Sequence, residues 1–249
     1  AFSIVDRCIV LEDDDVPSQS FFPFCKELLD RYADDERIGM IAGFHSDEVT
    51  PDVPDDYFFT TVFSIWGWAS WRRVIDQWDS HYTFLDDSHT MQQVRDLWKL
   101  RRYRPHLLDM CYHHRDSGKE YYETIFLMSL VLNHQLAIMP TRNLVNNLGA
   151  TPDSTHYAAN LNTIPARLRR MYTMKRHDLQ FPLRHPAHII EHIAFKEHVY
   201  RTNAWGHPWL KVARSFEELF NNLRRGNFKQ IGQAIRNRWH ILTGKNKYK

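Results

Sequence analysis

The chain has 249 residues, 43% hydrophobic and 25% charged, the balance of an ordinary globular protein with material for one large domain or two small ones. A formal net charge of +2 makes no case for nucleic acid. No apolar run approaches the roughly 18 residues of a membrane span.

In chain order, Cys8-Ile9-Val10-Leu11 is short, apolar and rich in β-branching, which predicts a buried central strand. It runs straight into four carboxylates, Glu12, Asp13, Asp14 and Asp15, and then a Val-Pro-Ser turn signal. A helix is expected next, with apolar positions Phe21, Phe24, Cys25, Leu28, Leu29 and Tyr32, capped by Ser18 or Ser20 and ending before Gly39. MIAGF, 40–44, reads as a strand, and 45–56 as an acidic loop. The aromatic run 57–71 predicts one strand ahead of a turn at Gly67, with helix resuming over 71–78. Residues 79–118 read as polar loop with one helix at about 90–100, then come a helix over 121–134, a strand over 136–140 and an Asn- and Gly-rich loop over 143–156. Beyond Pro165 the chain turns helical and basic. This divides it into a catalytic domain, 1–164, and a helical basic extension, 165–249.

Strands alternating with helices predict an α/β fold whose ligand site lies at the carboxyl ends of the strands. Two unit charges about 5 Å apart repel by roughly 3 kcal/mol at an effective dielectric near 20. The acidic run therefore reads either as a cation site or as a solvated loop with a helix cap.

VLEDDDVPSQSFF resembles the E-D-D region of GT-A type nucleotide-sugar glycosyltransferases, and is similar to bacterial members distantly related to N-acetylglucosaminyltransferase I. IWGWASWRR, 65–73, resembles their acceptor-side segment, YYETIF, 121–126, their acidic helix start, and NLVNNLGATPDSTH, 143–156, their closing loop. The resemblance implies a GT-A type mixed sheet flanked by helices. It also implies metal-dependent, inverting transfer of a sugar from a nucleotide-sugar donor to a glycan or lipid-linked acceptor. Asp14 and His156 would hold Mn²⁺ or Mg²⁺, with Glu12 and Asp13 facing the ribose or ordering the site. Asp15 could substitute in either role. Glu123 would be the general base and Trp68 would stack on sugar; Arg72 and Arg73 could meet phosphate or simply be solvated. Members of this kind carry a nucleotide-binding βαβ half ahead of the E-D-D strand, so the chain is expected to be the C-terminal part of a longer enzyme. A non-catalytic sugar- or nucleotide-binding module is the alternative.

HIIEH, 188–192, matches an inverted zinc-peptidase pattern, with His188 and His192 one helical turn apart and Glu191 between; a helix packing Ile189, Ile190 and Ile193 inward explains the same residues. From Lys211 to Lys249 there are ten Lys or Arg against Glu217 and Glu218, a net of +8, with apolar residues at helical spacing. That segment is expected to dock on the domain and to touch an anionic membrane surface. Nucleic acid is not an expected partner. Fifteen histidines and eight tryptophans suit a sugar or nucleotide site. Three cysteines, Cys8, Cys25 and Cys111, with no C-x-x-C pair, read as reduced thiols of a cytoplasmic protein.

Overall fold

A computed structural model describes residues 1–98, 104–149, 165–228, 230–232 and 235–236. The elements run β1 (Arg7–Val10), β2 (Asp15–Pro17), α1 (Phe21–Arg31), β3 (Ile38–Ala42), β4 (Tyr57–Thr60), β5 (Trp68–Trp71) and α2 (Arg72–Ile75). A 3-10 turn at Thr83–Asp86 leads to α3 (Ser88–Trp98), α4 (Arg104–Ser117), α5 (Tyr122–Leu132), β6 (Leu136–Pro140) and β7 (Val145–Asn147). After these come α6 (Ala166–Arg170), α7 (Ile193–Thr202) and α8 (Pro208–Arg224).

The fold is mixed α/β. Five strands form one sheet in the order β1-β5-β3-β6-β4, and β2 pairs with β7 in a separate two-stranded ribbon. Only β3 and β6 run parallel; the other neighbours are antiparallel. Because β1 and β3 are each antiparallel to β5, the strands β1, β3 and β6 all end at the same edge of the sheet.

Alternation along β4 distributes its aromatics to two faces. Tyr57 and Phe59 join the cluster built on Phe21, Phe24 and Leu28 of α1, whereas Phe58 joins Leu107, Cys111, Phe195 and Val199 from α4 and α7. Gly39 of β3 lets α5 close on the sheet, since a Cβ there would lie 2.5 Å from Leu130. Burying one such leucine is worth roughly 2 kcal/mol, so α5 is held by contacts of this kind rather than by its ends.

Several expectations need correction. The first strand stands at the end of the strand order, not at its centre, and its neighbour β5 comes from later in the chain. The run 57–71 forms two strands, because Gly67 (φ +63°) turns the chain and sends Trp68–Trp71 back between β1 and β3. The helix expected over 71–78 shortens to α2, and α4 occupies part of a region read as loop. Residues 145–147, read as loop, pair with β2.

HIIEH is not helical: α7 begins at Ile193, His192 caps it by accepting from the Phe195 N–H, and Ile190 is 70% exposed. Past residue 165, Leu179, Leu183, Phe195, Val199 and Tyr200 are buried in the same clusters as the sheet. Among the described residues, no helix is long and apolar enough to cross a membrane.

Candidate metal centre

The acidic run begins where β1 ends, and a turn folds it. The Asp15 N–H donates to the Glu12 carbonyl (3.1 Å), while the Glu12 N–H donates to Asp15 Oδ2 (3.0 Å). An extended backbone would alternate the faces of residues 12 to 15. The turn instead gathers Glu12, Asp14 and Asp15, each half-buried, with ligand oxygens all within 4.8 Å of one another. Asp13 is left exposed.

Neighbouring elements fix this arrangement from three sides. Asp15 Oδ2 accepts from the Gly67 N–H at 2.8 Å, so the turn ahead of β5 orients one carboxylate. Asn147, directly opposite Asp15 in the ribbon, donates Nδ2 to Asp14 Oδ1 at 2.6 Å and to Asp15 Oδ1 at 3.3 Å. The phenol of Tyr122, at the start of α5, donates to Glu12 Oε1. Gly149 completes the wall: its N–H donates to Asn147 Oδ1, and a Cβ there would fall 1.9 Å from Asp14 Oδ2. A side chain there would force the Asp14 carboxylate to move.

The electrostatics are unbalanced. Burial raises the Glu12 carboxyl above its ordinary range, and the charges of Asp15, Asp14 and Glu123 push it further; the Tyr122 hydrogen bond only partly opposes them. Burial likewise raises Asp15, against the bonds from Glu12, Asn147 and Gly67. Tyr122 is itself raised by burial and by the Glu12 beside it. Among the described residues, no Lys or Arg forms an ion pair with Glu12, Asp14 or Asp15. Three half-buried oxygen donors with no countercharge, beside a gap that a Cβ would fill, fit a hard divalent cation.

The expected site residues divide. Glu12 and Asp14 are in the cluster together with Asp15, and Asp13 is outside it. Glu123 is half-buried in the first turn of α5, close enough for its charge to act on Glu12. Trp68 is not open to a sugar. It is 3% exposed, its ring packs on Trp78, Tyr122 and Phe126, and so it supports the tyrosine that holds Glu12. His156 lies outside the described residues.

Arg73 is no phosphate ligand, since it donates to the carbonyls of Ala33, Tyr32, Asp35 and Ile38. Arg72 donates to the Phe2 carbonyl and pairs with Asp6. Trp66 is half-buried, set edge-on to Phe44 at 4.6 Å and tilted against Tyr172.

The zinc constellation does not assemble. Glu191 is bound by Thr61 and Lys196, and His192 by the start of α7 and by Asp52 at 3.6 Å. Among the described residues, Glu12, Asp14 and Asp15 form the sole cluster of potential metal ligands.

Asn147, Tyr122 and Gly149 were not singled out by the sequence reading. Their signal was the Asn-Asn-Leu-Gly run and the tyrosine beside Glu123, which become informative only once β2 and β7 are paired. No protein-family model matches the chain, and no curated protein matches it.

Proposed function

We propose that this chain is the metal-binding and acceptor-side part of a GT-A type glycosyltransferase. It would transfer a sugar from a nucleotide-sugar donor, with inversion, to a hydroxyl of a glycan or lipid-linked acceptor. The observation that carries the reading is the half-buried triad of Glu12, Asp14 and Asp15 at the carboxyl ends of the strands, without a Lys or Arg ion pair among the described residues. Glu12, Asp14 and Asp15 would hold Mg²⁺ or Mn²⁺, which supplies neutralisation of the charge that develops on a leaving diphosphate.

In this reading the protein's own groups have separate duties. Asn147 and the Gly67 N–H fix two of the carboxylates, so little reorganisation is needed when a ligand arrives. Tyr122 holds Glu12 in place. Glu123, on the same side, takes the proton of the acceptor hydroxyl. The three free thiols favour a cytoplasmic setting.

Thermal unfolding with Mn²⁺, alone and with UDP, GDP or CMP, tests the proposal. A ligand at a hundred times its dissociation constant adds about 2.7 kcal/mol of stability. The expected result is a rise that needs both metal and one nucleotide, lost in Asp14→Asn. Glu123→Gln should keep that rise while stopping transfer. Equal melting temperatures with and without Mn²⁺ would remove the central claim.

A further inference from the structure

The helix α8 is mounted with its oily side outward. Its residues that are not fully exposed are Arg214, Ser215, Asn221 and Asn222, all polar. At 100° per residue, Trp209, Val212, Phe216, Leu219, Phe220 and Leu223 fall on one face, and every one is exposed. Trp209 is 83% exposed and Phe216 66%, values foreign to a helix docked by its apolar stripe. The attachment to the body is polar: Glu217 Oε1 accepts from the Ala166 N–H at 2.8 Å, at the start of α6. α8 is thus attached to the body through polar groups, with its apolar face turned away.

We infer that the outward face of α8 is a docking surface for an anionic lipid bilayer. Exposed contiguous apolar surface of this kind marks either a partner or a membrane, and charge decides between them. Lys211 is exposed near the start of α8 and Arg224 and Arg225 at its end, and α6, joined to α8 through Glu217, carries Arg167, Arg169 and Arg170. Among the described residues, α6, α8 and Arg225 hold seven Lys or Arg against Glu217 and Glu218, a net of +5. A second copy of the chain would bring that charge against itself, an unfavourable match. An anionic lipid surface neutralises it while taking Trp209, Phe216 and Phe220 into its interfacial layer. The surface includes none of the carboxylates at the metal centre, so it stands or falls independently of the proposed transfer activity.

Co-sedimentation of the full chain with vesicles tests this. Binding is expected to phosphatidylcholine vesicles containing phosphatidylglycerol, much less to phosphatidylcholine alone, and should weaken as salt is raised. The variant Phe216→Ser/Phe220→Ser should lose at least about tenfold in affinity, because two buried aromatic contacts with the lipid are removed. Since both side chains are exposed, its thermal unfolding should match that of the parent chain. Arg224→Gln/Arg225→Gln should lose about fivefold per charge removed. No binding to anionic vesicles at low salt would overturn the inference. So would binding that survives both variants, or a dimer in solution that the phenylalanine variant converts to monomer.

Discussion

Glu12 and Glu191 are both half-buried glutamates close to the sheet, and the chain treats them in opposite ways. Burial pushes Glu191 up, but hydrogen bonds from Thr61 and Lys196, together with the lysine's charge, outweigh it and hold the carboxyl below its ordinary range. Lys196 reaches both of its oxygens, at 2.9 and 3.1 Å. Glu12 has a tyrosine in place of a lysine, with Asp14, Asp15 and Glu123 as charged neighbours, and its carboxyl is raised. The chain has the means to neutralise a buried glutamate and uses them where the residue only holds α7 to β4. At the acidic corner no Lys or Arg among the described residues pairs with the carboxylates. That difference is the physical case for a cation there, since like charges in partial burial are costly unless something positive joins them.

The comparison can be broken first at Glu191, where the largest effect is expected. Lys196→Met would leave a half-buried carboxylate with Thr61 as its remaining side-chain donor. Loss of a charge-assisted bond at a group this enclosed costs about 2–3 kcal/mol. Urea unfolding should show the midpoint falling with an unchanged slope. Glu191→Gln/Lys196→Met should recover most of the loss, because the stranded charge is then gone. If Lys196→Met is neutral, the contrast between the two glutamates has no energetic content.

Tyr122→Phe probes the other side. It removes the sole hydrogen-bond donor to the Glu12 carboxylate among the described residues and leaves the ring to pack on Trp68. Groups that orient a metal ligand change affinity by about ten- to a hundredfold when lost. We expect about a tenfold weaker Mn²⁺ midpoint by isothermal titration, with little change in the unfolding of the metal-free chain. A large drop in metal-free stability with unchanged Mn²⁺ affinity would make Tyr122 a packing residue alone.

How far the sequence carried these conclusions depends on the range of the interaction. Local signals were readable: the β-branched run ahead of Glu12, the spacing Phe21, Phe24, Cys25, Leu28 on α1, and the strand 136–140. The α4 spacing of Leu107, Cys111 and His114 was equally helical, but intervening charged and polar residues hid it. Pairings between distant residues were not readable. That Trp68–Trp71 lies between β1 and β3, or that Asn147 faces Asp15, is decided by which strands meet. The acidic run was legible as a group, but which of its carboxylates come together was not. The resemblance sets Asp13 with Glu12, whereas a turn closed by Asp15 N–H to Glu12 O brings Asp15 beside Glu12 and Asp14. Trp68 was misread for the related reason that flanking aromatics look alike until one knows which is enclosed.

The sharpest form of the comparison is a change of sign at Glu12. In metal-free protein, Glu12→Gln removes repulsion from Asp14 and Asp15 and keeps an acceptor for Tyr122, so it should stabilise by about 1 kcal/mol at neutral pH. With saturating Mn²⁺ the order should reverse, since the parent chain then gains the ligand's contribution and the variant gains less.

Acid gives a second check on the same residue. A carboxyl whose folded pKa is raised destabilises the fold above that value, and the penalty disappears as pH falls through it, because the folded state then takes up the proton more readily than the unfolded one. The stability difference between variant and parent should therefore be positive near pH 7 and shrink as pH is lowered through Glu12's raised pKa. Glu191 works in the opposite direction: its contribution is present above its unfolded value and is lost as pH falls through its lowered one. Taking the difference between the two chains cancels that loss and the effect of His45, whose imidazole burial holds down to about 3. A Glu12→Gln variant less stable than the parent without metal would mean that the corner is already balanced, and the argument for a cation would fail at its premise.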